Sequence, residues 1–232
     1  MSEESFLFPP PPRPSVAIAG ETRRFPVRRI FCVALNYADH AREMGKEPGA
    51  EPPFFFTKPA DAIVADGATI PFPSMTSDFH HEIELVAALF AGGADIPKAR
   101  ALDCVVAYGA GVDLTRRDLQ TSARKAGRPW DLSKGFDFSA PLGALALVSR
   151  IGHPKTGRIA LSVNGAVKQQ GDLGDMIWDV ADVISELSRY VSLAAGDLIF
   201  TGTPSGVGPL APGDRVEGSI AGVGELCVNV AG

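Results

Sequence analysis

Glycine and proline are spread through this chain instead of gathered in one linker, and that scatter limits the possible folds more than any other feature. The 25 glycines and 19 prolines fall between short apolar runs. Because proline lacks an N–H and glycine favours turns, few long helices fit between them. A turn-rich, mainly β protein with a few flanking helices (α+β) is predicted. One run differs: Pro9 to Pro12 with Pro14 can neither form a helix nor pair in a sheet. Residues 1–25 therefore read as an N-terminal arm or small cap, and residues 26–232 as one catalytic-sized domain, given about 150 residues per domain as a soft prior.

Short strands are predicted near 27–33, 54–57, 83–90, 104–112 and 143–148 from their β-branched and aromatic content. Asn164-Gly165 sits between two alternating runs in IALSVNGAVKQQ, a strong hairpin signal. A further strand pair is expected over 214–230, split at Gly222. Three helices follow from capping and spacing. The first is short, over 36–45, opened by Asn36 as cap and closed by Gly45. The others cover 115–126 and 176–190, where Ile177, Val180, Ala181, Ile184 and Leu187 form one apolar stripe.

Several function classes are excluded. Lys and Arg total 22 against 27 for Asp and Glu, a net charge of −5 that leaves no basic excess for nucleic acid. No apolar run approaches the roughly 18 residues of a membrane span, and MSEESFLF is acidic where a signal peptide is basic, so a cytoplasmic protein is expected. Cys32, Cys104 and Cys227 are odd in number, far apart and in apolar settings, which suits buried thiols and neither a disulfide framework nor a zinc site.

The stretch DFHHEIELV at 78–86 carries the most chemistry. On a strand, Glu82 and Glu84 share a face, and two close carboxylates in a dry place call for a hard cation such as Mg²⁺ or Mn²⁺. Taken alone, alternating glutamates are more often a solvated strand face. Asp113 follows the apolar run CVVAYGAGV, where a charge must be paired, capping or metal-bound; Thr115 and Arg117 are alternative partners. His40 and Glu43 lie three apart on the short helix, so a carboxylate can orient the imidazole, although that spacing is also common in surface pairs. Leu198 to Gly208 runs from a strand into a glycine-rich loop suited to close approach by a carboxylate or carbonyl. It lacks the lysine and following helix of a phosphate loop. Arg117 and Lys134 are cations able to hold a carboxylate or polarise a carbonyl, or to form ordinary ion pairs.

Taken in order, NYADHAREM at 36–44, PPFFFTKP at 52–59, HHEIEL at 80–85 and GVDLTRRDLQ at 111–120 resemble the fumarylacetoacetate hydrolase superfamily. So do GRPWDLSKGFD at 127–137, VNG at 163–165 and GDLIFTGTPSGVG at 196–208. The resemblance runs from about 28 to about 230 and looks most like the fumarylpyruvate hydrolase and acylpyruvase branch, with oxaloacetate decarboxylases, tautomerases and dienedioate isomerases as relatives. It implies a mixed β-sandwich or β-roll, a homodimer, and one Mg²⁺ or Mn²⁺ per subunit on Glu82, Glu84 and Asp113. By the same resemblance, His40 and Glu43 match a catalytic dyad, and Lys134 a lysine beside the metal. Arg117, Gln120 and Thr203 match positions near the substrate. Two departures stand out: Leu35 replaces a frequent arginine, and Gly135 a frequent serine. The implied reaction is metal-dependent hydrolysis of a carbon–carbon bond in a small 2,4-dioxo acid, with fumarylpyruvate giving fumarate and pyruvate. His40 would activate water, while Lys134 and the Thr201 to Thr203 loop would share the developing charge.

Overall fold

The segment Ile83–Leu89 is apolar apart from Glu84. In the computed structural model, which describes residues 6–49 and 52–232, it is a strand buried at every position. A continuous run of this kind suits a central strand covered on both faces. It pairs antiparallel with Val105–Val112 on one side and with Asp197–Phe200 on the other. Alternation then divides its side chains, with Leu85, Ala87 and Leu89 entering one core and Val86 and Ala88 a second.

The sheet around this strand runs in the order Phe54–Lys58, Arg29–Ala34, Asp197–Phe200, Ile83–Leu89, Val105–Val112, Ala140–Leu142 and Ile63–Ala65, with Ala146–Leu147 adding to Val105–Val112. It is mixed, because Asp197–Phe200 pairs parallel to Arg29–Ala34 and Ala140–Leu142 parallel to Ile63–Ala65. A second sheet is built on the hairpin Arg158–Val163 with Ala166–Asp172, then Arg215–Ile220, Gly224–Val230 and Thr69–Ile70. Asn164 and Gly165 both take positive φ, 52° and 79°, as a tight primed turn requires. The larger core fills the space between the sheets, where Ile83, Leu85 and Leu89 meet Ile159, Leu161, Val216 and Val228. Each such side chain, fully buried, contributes about 1.5–3 kcal/mol. Helix Val180–Leu187 closes this core with Val180, Ala181, Val183, Ile184 and Leu187. The fold is thus mainly β with flanking helices, as the composition predicts.

The second core lies on the outer face of the mixed sheet, where the hairpin Ser15–Ala17 with Arg24–Pro26 lays Val16 and Phe25 over Leu198, Phe200 and Ile30. Pro9 to Pro12 are exposed. Below this core Asp197, fully buried, takes Arg28 at 3.1 Å and Arg29 at 2.8 Å, which ties the two parallel strands together.

Several boundaries differ from the sequence expectation for identifiable reasons. Helix formation over 176–190 is confined to Val180–Leu187, because Asp179 and Asp182 form a reciprocal capping box that fixes the start. Ile177 stays outside and donates its N–H to the Asn36 carbonyl. Asn36 is not the cap of the short helix Ala38–Glu43; Tyr37 holds that position without a side-chain hydrogen bond. The expected strand over 143–148 is split, since Gly143 lies against the Glu225 carbonyl where a Cβ would come within 2.3 Å, and Val148 already begins a helical turn. The expected helix over 115–126 begins only at Arg117, after Thr115–Arg116 pairs with Phe79–His81. The three thiols are free, but Cys227 is only partly buried. Among the described residues no helix is long and apolar enough to cross a membrane.

Candidate active site

Strand register brings three acids together. Ile83 pairs with Val112, so Glu82 and Asp113 flank the same rung, and the Asp113 N–H donates to the Glu82 carbonyl at 2.8 Å. Glu82 does not sit within the strand. It occupies a one-residue break between Phe79–His81, which belongs to a three-stranded sheet, and Ile83–Leu89. Its carboxylate nevertheless meets that of Glu84, and one oxygen from each of Glu82, Glu84 and Asp113 lies within 4.8 Å of the others, all buried.

Three cations surround these acids. Lys134, only 2% exposed, donates to Glu82 Oε2 at 2.8 Å, to Asp113 Oδ2 at 2.6 Å and to Thr115 Oγ1 at 2.6 Å. Arg117 pairs with the other oxygen of Glu82 and also binds Gln120 Oε1. Lys58 Nζ stands 2.8 Å from Asp113 Oδ1 and donates to the Leu114 carbonyl. The Lys58 contact is an ion pair without hydrogen-bond alignment, so Asp113 Oδ1 has no hydrogen-bond donor. Burial opposes ionisation of Glu82, but Lys134 and Arg117 outweigh it and hold this carboxyl well below its usual range. Glu84 goes the other way, pushed well up by burial and by repulsion from Asp113 and Glu82, against one N–H from Gly202 at 2.8 Å. Burial works against the Lys134 charge, yet Asp113 and Glu82 raise its pKa. A buried all-oxygen donor set with one carboxylate oxygen lacking a hydrogen bond and one carboxyl resisting ionisation fits a hard divalent cation.

The Gly202 N–H reaches Glu84 because of its backbone. Gly202 has φ +96°, and a Cβ there would lie 2.7 Å from Asn36 Cβ. Asn36 itself fastens the loop to its neighbours, accepting from the Trp178 N–H at 2.7 Å and donating to the Trp178 and Thr201 carbonyls.

His40 is buried on the short helix, with Nδ1 2.9 Å from Glu43 Oε2; Glu43 Oε1 accepts from the Gly206 N–H at 3.2 Å. The Nε2 atom is left for other work. A cavity of about 230 Å³ is bordered by His40, Glu82, Glu84, Arg117, Gln120, Lys134 and Thr203. Asp113 and Glu43 lie behind this wall, reached through Lys134 and His40. The Thr201 hydroxyl does not share in it, because it donates to the Leu85 carbonyl at 2.9 Å.

A sequence profile described as the fumarylacetoacetate (FAA) hydrolase C-terminal domain matches residues 29–231. The chain belongs to the fumarylacetoacetate hydrolase family. Within that family it is similar to fumarylpyruvate hydrolase from Pseudomonas aeruginosa, solved in complex with Mn²⁺ and pyruvate. That structure has 51% identity, a TM-score of 0.96, and coverage of 98% of this chain and 99% of that one. The fumarylpyruvate hydrolase of a Ralstonia species is 39% identical over 79% of this chain and 95% of its own length. The mouse mitochondrial oxaloacetate tautomerase FAHD1 is 40% identical over 84% of this chain and 88% of its own.

Two residues of this fumarylacetoacetate hydrolase family site escape the sequence reading. Lys58 ends an aromatic strand, and nothing local indicates that its amine turns inward to Asp113. Gln169 is fully buried in the hairpin strand Ala166–Asp172, otherwise exposed or half-buried. It accepts from the Ile83 N–H at 3.0 Å and donates to the Pro204 carbonyl at 2.9 Å. Those two backbone groups can only donate and only accept, respectively, so the amide orientation is fixed. His81 Nδ1, 2.9 Å from Gln169 Oε1, must therefore carry a hydrogen. Thr203 Oγ1 accepts from Gln169 Nε2 at 2.8 Å, leaving its own hydrogen to point elsewhere.

Proposed function

We propose that this protein hydrolyses a carbon–carbon bond in a 2,4-dioxo acid, with fumarylpyruvate plus water giving fumarate and pyruvate as its lead reaction. The observation that carries the reading is the three-acid cluster with buried Lys134 at one wall of a cavity that also receives a carboxylate-held histidine. Glu82, Glu84 and Asp113 would hold one Mg²⁺ or Mn²⁺. That ion would supply a Lewis acid and a fixed positive charge to orient a 2-oxo carboxylate. Against the three carboxylates stand Lys58, Lys134 and Arg117, so the formal charges of the side chains cancel, and a divalent ion makes the site attractive to an anion.

His40 takes a proton from water at Nε2 while Glu43 stabilises the imidazolium through Nδ1. The water oxygen adds to the C4 carbonyl, the C3–C4 bond breaks, and its electron pair passes into the enolate of pyruvate. Charge then develops on the C2 oxygen; Lys134, whose three N–H bonds are taken by Glu82, Asp113 and Thr115, stabilises it by its positive charge, and the free hydrogen of Thr203 is a donor that needs no reorganisation. Return of the proton from His40 to C3 gives pyruvate, and C4 leaves as the carboxylate of fumarate. Arg117 and Gln120 border the same cavity and hold the substrate.

The similarity to an oxaloacetate tautomerase supports a second reading, in which His40 moves a proton between carbon and oxygen of oxaloacetate and no water is consumed. Loss of the enol-diketone absorbance separates the two. Fumarylpyruvate, acetylpyruvate and oxaloacetate are each assayed in chelated buffer and with Mg²⁺ or Mn²⁺. Metal-dependent loss with stoichiometric fumarate and pyruvate is expected. Intact diketones with tautomerised or decarboxylated oxaloacetate would overturn the hydrolase reading.

A further inference from the structure

The cavity that borders the acid cluster has further walls of a different chemistry. Leu35, Met44, Phe54, Phe56 and Trp130 also line it, with the Phe56 ring 5.0 Å from the Lys134 ammonium and the Phe54 and Trp130 rings edge to face at 5.0 Å between centroids. Two more cations border the same cavity, Lys46 and Arg124. Other cations nearby are neutralised, Arg42 by Asp39 at 2.6 Å and Arg117 by Glu82. Among the described residues neither Lys46 nor Arg124 has a carboxylate within ion-pair distance.

The helix Arg117–Lys125 sets the spacing. Arg117, Gln120 and Arg124 follow one another by three and four residues, so they lie on one helix face, and all three border the cavity. Arg117 contacts Glu82 at the acid end. Seven residues at about 1.5 Å each place Arg124 about 10 Å farther along. Lys46 comes from another segment, where Gly45 with φ +73° turns the chain out of the short helix Ala38–Glu43 and the Lys46 N–H donates to the Ala41 carbonyl at 2.8 Å.

We propose that Lys46 and Arg124 form a distal anion subsite that selects long, dianionic 2,4-dioxo acids with an unsaturated or apolar middle. This rests on the reading above that a 2-oxo carboxylate occupies the acid end. An extended seven-carbon dicarboxylate spans about 8 Å between its end carbons, with C–C bonds near 1.5 Å, and one further hydrogen bond reaches Arg124. A four-carbon diacid such as oxaloacetate spans about 4 Å and leaves the far cations without a partner. The subsite therefore favours fumarylpyruvate over both oxaloacetate, which is too short, and acetylpyruvate, which lacks the second carboxylate.

The test uses the full chain loaded with Mn²⁺ and the variants Arg124→Gln, Lys46→Gln and their combination, at exposed positions where folding is not at risk. Turnover and equilibrium binding are measured for fumarylpyruvate and acetylpyruvate. The ratio of kcat/KM for the two should fall about tenfold in the double variant, an amount two partly screened ion pairs supply, with the change carried by KM. An unchanged ratio, or equal losses on both substrates, would overturn the subsite while leaving the hydrolase reading intact. Should the wild-type protein bind fumarylpyruvate without cleaving it, the reaction reading fails. The subsite is then judged on binding alone, where a weaker complex in the double variant supports it and an unchanged one overturns it.

Discussion

Replacing Lys134 by methionine keeps most of the side-chain volume but removes a charge that three buried oxygens share. Glu82 Oε2, Asp113 Oδ2 and Thr115 Oγ1 all lose their donor at once. Breaking one partner out of a buried ion pair typically costs 3–5 kcal/mol. Here each carboxylate keeps one cation, Arg117 for Glu82 and Lys58 for Asp113, which points to the lower end, about 3 kcal/mol. For a domain of this size that corresponds to a fall in Tm of about 6–12 °C in chelated buffer. Added Mn²⁺ should then stabilise Lys134→Met more than it stabilises the wild type, since the ion restores positive charge that the variant lacks and the wild type already has. Thermal melts of both proteins across a Mn²⁺ series in excess of EDTA give the two increments directly. A variant as stable as wild type without the ion, or one that gains no more from it, would refute the electrostatic account of the cluster. Turnover should be lost in either case.

The remaining predictions concern the acids, the dyad and the buried amide. Glu82→Ala should abolish Mn²⁺ binding and activity together, read by calorimetry and rate; metal-dependent turnover in that variant would remove Glu82 from the ligand set. His40→Ala should keep Mn²⁺ affinity and lose about 10²- to 10⁴-fold in hydrolysis, the range of positioned acid–base catalysis, and unchanged turnover would reject its role as base. Glu43→Gln keeps a hydrogen bond to Nδ1 but not the charge, so its loss should be smaller than that of His40→Ala in the same assay. Gln169→Leu and Thr203→Val should be non-additive in kcat, because both remove the same oriented hydroxyl; additive losses would mean that Gln169 acts only through stability.

Strand alternation and a charge at the end of an apolar run single out the three acids, but solvated and capping readings stay open, and the complete set follows from the family resemblance; pairing in the sheet is what joins them. Asp113 follows Val105–Val112 and Glu84 lies in Ile83–Leu89, so pairing the strands brings the two together. The hairpin at Asn164-Gly165 was plainer, since its turn chemistry is local. What sequence reasoning missed is long-range and polar. The family resemblance implies Lys134 beside the acids, but Lys58, 76 residues away, reaches the same Asp113 with no local sign of doing so. No periodicity encodes that convergence. Asn36 looked like a helix cap because asparagine often is one; here its side chain serves Trp178 and Thr201 across 142 and 165 residues instead. Gln169 was invisible because strand alternation marks a face but does not reveal that a loop carrying Thr203 and Pro204 covers it.

The two halves of the site rest on very unequal supports. Ile83–Leu89 is buried along its whole length and paired on both edges, so its amides should exchange with solvent deuterium only when the whole domain opens. Helix Ala38–Glu43 has six residues, too few to hold together alone, and should exchange by local opening. Glu84 is therefore set in the slowest-exchanging part of the protein, with Glu82 and Asp113 at its edge, and His40 in one of the fastest. Substitutions around His40 should therefore cost the fold little, whereas substitutions around Glu84 should be felt through the whole domain.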